Sequence, residues 1–221
     1  MLTVSRRILI AIGAVSSAAV AIVSYRYLWP SLPVSGLVAT NAFGVPWLTV
    51  HAAAAATALL VGPLQFRSQL RARRPKLHRV LGRVYVTGCV VGGATGLLLA
   101  LGTTAGPVAT AGFGSLAVVW LVATARAWRL AVRRVLAQHR EWMVRSFALT
   151  FAAVTLRIYL PISQTLPVEL DDAYRAISFL CWVPNLLVAE LYLRTRRGRG
   201  SSVDQRVASP IKMTPTKIIN Q

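Results

Sequence analysis

Gly62-Pro63-Leu64-Gln65-Phe66 and, beyond an arginine-rich turn, Leu77-His78-Arg79-Val80-Leu81-Gly82-Arg83-Val84-Tyr85 mark where one long apolar run ends and the next begins. Val45 to Phe66 precedes the join and Val80 to Leu101 follows it. Between them stand Arg67, Arg71, Arg73, Arg74, Lys76, Arg79 and Arg83. Such a cation cluster is costly in hydrocarbon and ordinary in a cytoplasmic loop between membrane helices. Gln65 and His78 flank the join as its two uncharged polar groups.

Working outward, a spanning helix requires about 20 mostly apolar residues. Six stretches meet or approach this: Ile8 to Tyr27, Val45 to Phe66, Val80 to Leu101, Val108 to Leu130, Ser146 to Leu166 and Ala173 to Leu193. The fold class they predict is an all-α, polytopic transmembrane bundle of six spans. Composition agrees, with 55% apolar against 14% charged residues and a mean hydropathy of +0.57, an excess beyond a soluble core. The net charge of +19 interrupts apolar runs instead of gathering on one face, so it implies no nucleic-acid partner. Cys89 and Cys181 both lie in apolar stretches and read as buried structural thiols.

Orientation follows from the cations. The turn after the fourth stretch carries Arg126, Arg129, Arg133, Arg134, Arg140 and Arg145, whereas Ser31 to Gly44 and Gly102 to Pro107 carry no charge. The segment before the last stretch is acidic, with Glu169, Asp171 and Asp172. Both termini are therefore expected in the cytoplasm of a bacterial inner membrane. Arg6-Arg7 before an apolar run and Ala19-Val20-Ala21 also suit a signal peptide, but the run continues toward Leu28 with Tyr25, Tyr27 and Trp29 placed for an aromatic belt, which favours an uncleaved helix. The domain division expected is 1–197 for the bundle and 198–221 for a disordered basic tail, drawn to anionic lipid at the cytoplasmic face by Arg194, Arg196, Arg197 and Arg199. Arg73-Arg74 before His78-Arg79 and Arg133-Arg134 before His139-Arg140 hint at a repeat of two-helix units.

Polar groups inside spans are functional candidates by default. Helical spacing aligns His51, Ala55, Ala58, Gly62 and Gln65 on one face, and His78, Gly82, Tyr85, Cys89, Gly92 and Gly96 on another. Gly88, Gly92 and Gly96 let a second backbone approach, as helix packing, as a homo-oligomer contact or as a slot for a flat cofactor. In the fifth stretch His139, Met143, Ser146, Thr150, Arg157 and Gln164 form a polar seam. Arg157 lies twelve residues past Arg145, about 18 Å along a helix, near the middle of the core or beyond, and needs an acceptor. Asn185 is at a compatible depth. Glu190, four residues before Arg194, is expected to pair with Arg145, Arg83 or His139. His78 and His139 share a level, as the two ligands of one b-type haem must, with nearby arginines for its propionates; lipid-facing anchors are the plainer reading. His51 stands apart as an intramembrane hydrogen bonder or a lone ligand. No metal-ligand spacing, phosphate loop, nucleophile elbow or catalytic carboxylate pair occurs, so no catalytic residue is assigned.

His51, Gly62-Pro63-Leu64-Gln65-Phe66, Leu77-His78-Arg79 with Gly82-Arg83 and Tyr85, His139-Arg140-Glu141-Trp142-Met143-Val144-Arg145-Ser146, Arg157 with Pro161, and Asn185 with Glu190 together resemble the bacterial predicted-membrane-protein family named domain of unknown function 2306, over Val45 to Leu193. The resemblance implies a polytopic membrane protein and supplies no reaction. The functional expectation is a bundle with an intramembrane polar site, redox-linked through one b-type haem or a quinone. The alternatives are a small-molecule transporter or channel built around Arg157, or an accessory subunit of a membrane complex.

Overall fold

The computed structural model describes residues 2–29 and 39–207, with side chains over 8–29 and 39–197. Among the described residues there are helices and no strand. Six helical stretches are long and apolar enough to cross a membrane: Ile8–Leu28, Gly44–Gln65, Pro75–Leu101, Pro107–Val132, Leu136–Ser163 and Leu170–Arg197. Leu, Ile and Val side chains such as Leu9, Val15, Val122, Val188 and Leu191 cover the outside, the surface a bilayer requires.

The helices outrun the apolar windows at their basic ends. Pro75 opens the third span in the first turn, where its missing N–H costs nothing, and the fifth begins at Leu136, ten residues before Ser146. His78 and His139 are therefore helical. The two arginine turns do not share a backbone: Arg74 sits at φ −134° and Arg134 in the left-handed region at φ 60°, so the short repeat has no common turn geometry. The last helix runs to Val207, and the tail expected from residue 198 falls, for 208–221, outside the described residues.

The second and third spans pack closest. A Cβ on Gly88 would stand 2.8 Å from the Ala54 carbonyl oxygen, and one on Gly92 3.3 Å from the Ala55 nitrogen and 3.2 Å from Trp120. On Gly96 it would stand 3.0 Å from the His51 ring. The glycine ridge thus receives the His51, Ala55 and Ala58 face. The ridge packs a neighbouring helix of the same chain.

Two spans are broken. In the fifth, helix Leu136–Thr150 gives way at Phe151 to helix Ala152–Ser163. Thr150 Oγ1 donates back to the Ser146 carbonyl at 2.9 Å, a competition that bends helices, and Val154 N bonds the Phe151 carbonyl at 2.9 Å in a tighter turn. Pro161 lies within the second piece without interrupting it. In the sixth, Leu170–Leu180 stops and Val183–Val207 restarts with Pro184, which lacks the N–H that would pair the Leu180 carbonyl, in its first turn. Asn185 Nδ2 donates to the Cys181 carbonyl at 3.0 Å and to Thr155 Oγ1 at 2.7 Å. That side chain ties the two broken spans together just past both breaks.

Candidate functional site

Three spans meet around Tyr85, Thr124, Ser146 and Thr150, all buried. The Tyr85 hydroxyl lies 2.9 Å from Ser146 Oγ and 3.0 Å from Thr150 Oγ1. Thr124 Oγ1 is 2.7 Å from Ser146 Oγ, and Trp120 Nε1 donates to Thr150 Oγ1 at 3.0 Å. Each hydroxyl has one proton, which fixes the directions. Thr150 spends its own on the Ser146 carbonyl, so Tyr85 donates to Thr150, Ser146 to Tyr85, and Thr124 to Ser146. Every donor is then used. A network complete in itself rigidifies a core and asks for no ligand. Cys89 Sγ, 4.0 Å from Thr150 Oγ1, closes its edge as a buried thiol, and Cys181 is likewise buried and unbridged.

The arginine-rich end is different. Gln65 is 7% exposed and its Nε2 has no partner; neither has the buried Nδ1 of His78. Gln65 Oε1 faces Gly82, where a Cβ would come within 3.3 Å of it, and His78 is one helical turn before Gly82. His139 Nδ1 stands 2.9 Å from the Ala127 carbonyl oxygen. That carbonyl can only accept, so Nδ1 carries a proton and donates it. Buried polar atoms without partners are uncommon and costly. Gln65 Nε2 and His78 Nδ1, on either side of the join between the second and third spans, are two of the three such atoms among the described residues; the third is Trp182 Nε1.

Below these lies an ionic tie. Arg145 grips Glu190 with two bonds, Nε to Oε1 at 2.5 Å and Nη2 to Oε2 at 3.0 Å. Glu141 is 4.0 Å from Arg145 and is bonded by Arg197, Nε to Oε1 at 2.9 Å. Arg126 and Arg145 each lie over the Trp142 ring, at 5.0 and 4.7 Å from its centre. The pairing of Glu190 with Arg145 is the first of the three partners the sequence offered.

The remaining candidates do not join into one site. Arg157 donates through Nη1 to the Ala153 carbonyl at 3.1 Å, its one hydrogen bond among the described residues, while Asn185 is turned to Thr155. Arg157 lies in the second piece of the broken fifth span, Ala152–Ser163, across the break from Arg145. Gln164, at the far end of the seam, is exposed. His51 Nδ1 is 2.8 Å from the Gly92 carbonyl oxygen, which makes it an interhelical donor. Sequence periodicity found Tyr85, Cys89, Ser146 and Thr150 but missed Trp120 and Thr124, which share a face at i and i+4 in the fourth span.

A family model described as "Predicted membrane protein (DUF2306)" matches residues 48–193, which contain every residue of the hydroxyl network, Gln65 and His78. No curated protein and no solved structure matches the chain.

Proposed function

The chain belongs to the DUF2306 family of predicted membrane proteins, and on that premise we propose that it holds a redox-active ligand, one b-type haem or a quinone, at its arginine-rich end. That end faces the cytoplasm of a bacterial inner membrane by the positive-inside argument. The observation that carries this reading is the pair of buried, unpartnered atoms, Gln65 Nε2 and His78 Nδ1.

The residues present suit either group. For haem, His139 offers Nε2 while its Nδ1 is held by a backbone carbonyl, the usual arrangement of an imidazole ligand, and His78 would be the second ligand. Arg79 and Arg83, exposed on the same helix, supply cations for propionates. For a quinone, the Gln65 amide and a protonated His78 nitrogen are donors for its carbonyl oxygens. Either group would carry electrons between the membrane and a partner, and the chain's own part is to orient it and exclude water. The test is the content of the purified protein, haem by absorption spectrum and quinone by organic extraction; absence of both overturns the proposal.

A second reading, a small-molecule transporter, is favoured by the breaks at Phe151 and Cys181–Trp182 and by the Asn185–Thr155 bond beside them. Discontinuous helices are where transporters place binding sites. With Cys89 and Cys181 replaced by serine, Thr155→Cys should react with a membrane-impermeant maleimide from at least one side. A cysteine inert from both sides counts against transport.

A further inference from the structure

The second and fifth spans meet along a line of phenylalanine rings that begins next to Gln65. Phe66 follows Gln65 at the end of the second span, and its ring centre stands 5.5 Å from that of Phe147. Phe147 lies 6.2 Å from Phe151 and covers Gly62, where a Cβ would collide with its ring and come within 3.3 Å of Tyr85. Phe151 is one helical turn beyond Phe147, so the line runs from the arginine-rich end toward the break in the fifth span. There Phe151 packs on an apolar cluster of Ala21, Ala56, Leu59 and Val154. Phe66 is 41% exposed and the other two rings are half-buried, which leaves the line open along one side.

At its loop end the bonding is incomplete. The Gln65 side chain is buried, its Nε2 has no partner, and its Oε1 lies against Gly82, where even a Cβ would come within 3.3 Å. Glycine at that position lets the amide lie along the third span. His78, whose Nδ1 is also buried and unpartnered, is one turn away on the same helix, the spacing at which side chains are neighbours. An amide nitrogen only donates: it offers an iron nothing and a carbonyl oxygen a bond. A buried donor at the head of an apolar aromatic line suits a molecule with a carbonyl-bearing ring and a hydrocarbon tail.

We infer that, of the two groups the redox reading allows, the ligand is a lipid-soluble quinone whose ring carbonyl accepts from Gln65 Nε2 and whose tail lies along Phe66, Phe147 and Phe151. The inference rests on the redox reading and adds to it the ligand class and the residues that select for a tail. Apolar area buried along the rings makes affinity depend on the tail, and the exposed Phe66 contributes to that part alone.

The experiment uses the full chain in mild detergent. Haem is measured by absorption. Quenching of tryptophan fluorescence follows the binding of a benzoquinone and a naphthoquinone, each with two isoprene units, and of the same rings without a tail. At least one tailed quinone should bind tenfold or more tightly than its tailless parent. Gln65→Leu should weaken both forms at least tenfold. Phe66→Ala should weaken the tailed form at least threefold and the tailless one less than twofold, and Phe179→Ala, exposed on the sixth span, should change neither. Gln65→Leu removes an unpaired amide and Phe66 is exposed, so both variants keep the fold, which circular dichroism checks. Haem in the protein with no quinone bound overturns the inference and leaves the redox reading standing. So does a quinone that binds wild type and Gln65→Leu alike, or one whose tailed form is indifferent to Phe66→Ala. Neither haem nor quinone overturns both.

Discussion

Arg145 and Glu190 meet through two parallel bonds, 2.5 and 3.0 Å long, that join the fifth span to the sixth below the break in each. The Arg145 side chain is 14% exposed and that of Glu190 33%, enough removal from water to make the pair matter and enough contact to temper it. Glu190→Ala should destabilise the protein by about 2 kcal/mol, since a largely buried guanidinium loses charge-assisted bonds. Reversible unfolding in mixed detergent measures it. Arg145→Lys should cost nearly as much, because an ammonium cannot supply the fork; a cost near zero for both would make the pair a surface contact.

The direction of the hydroxyl chain gives an order of effects. Tyr85→Phe removes the acceptor of Ser146 and the donor to Thr150, leaving a buried hydroxyl proton unpaired, for about 2 kcal/mol. Thr124→Val removes only the head of the chain and orphans no donor, for about 1 kcal/mol. The double variant should cost less than the sum. Thr124→Val costing more than Tyr85→Phe would reverse the assigned directions.

Packing between the second and third spans is tested at Gly88, where a Cβ meets the Ala54 backbone at 2.8 Å and no flexible side chain can yield. Gly88→Ala should cost about 1–3 kcal/mol as overpacking. Gly114→Ala, whose nearest neighbour would be the Leu97 side chain at 3.9 Å, should be close to neutral. Similar costs at both positions would mean that helix propensity and not contact decides.

The spans were legible because hydrocarbon thickness and apolar length are tied by one simple constraint, and the cation clusters marked the loops. The Glu190–Arg145 pairing was legible for a related reason: a lone carboxylate four residues from the basic end has few cations within reach. The break at Phe151 was not legible, since it lies ten residues before Pro161, the residue type that signals helix breaks in a sequence. Trp120 and Thr124 were missed because a Trp and a Thr inside an apolar helix look like ordinary core until the hydroxyls of Ser146 and Thr150 are brought opposite them. The region of Gln65 and His78 stood out in sequence, but only the packing reveals that Gln65 Nε2 and His78 Nδ1 lack partners.

If Gln65 is kept polar for a ligand, its burial is a burden without one. Gln65→Met should raise the stability of the ligand-free protein by about 1 kcal/mol while lowering ligand retention. Destabilisation by Gln65→Met would instead assign the amide a structural partner.

The most direct measurement is the reduced-minus-oxidised absorption spectrum of the protein purified in mild detergent from cells supplied with a haem precursor, with bound quinone quantified from the same sample. The account predicts either a b-type haem signal lost in both His78→Ala and His139→Ala, or about one quinone per chain lost in Gln65→Met and His78→Ala, with the fold retained by circular dichroism. A flat spectrum and no quinone in well-folded wild-type protein would contradict it.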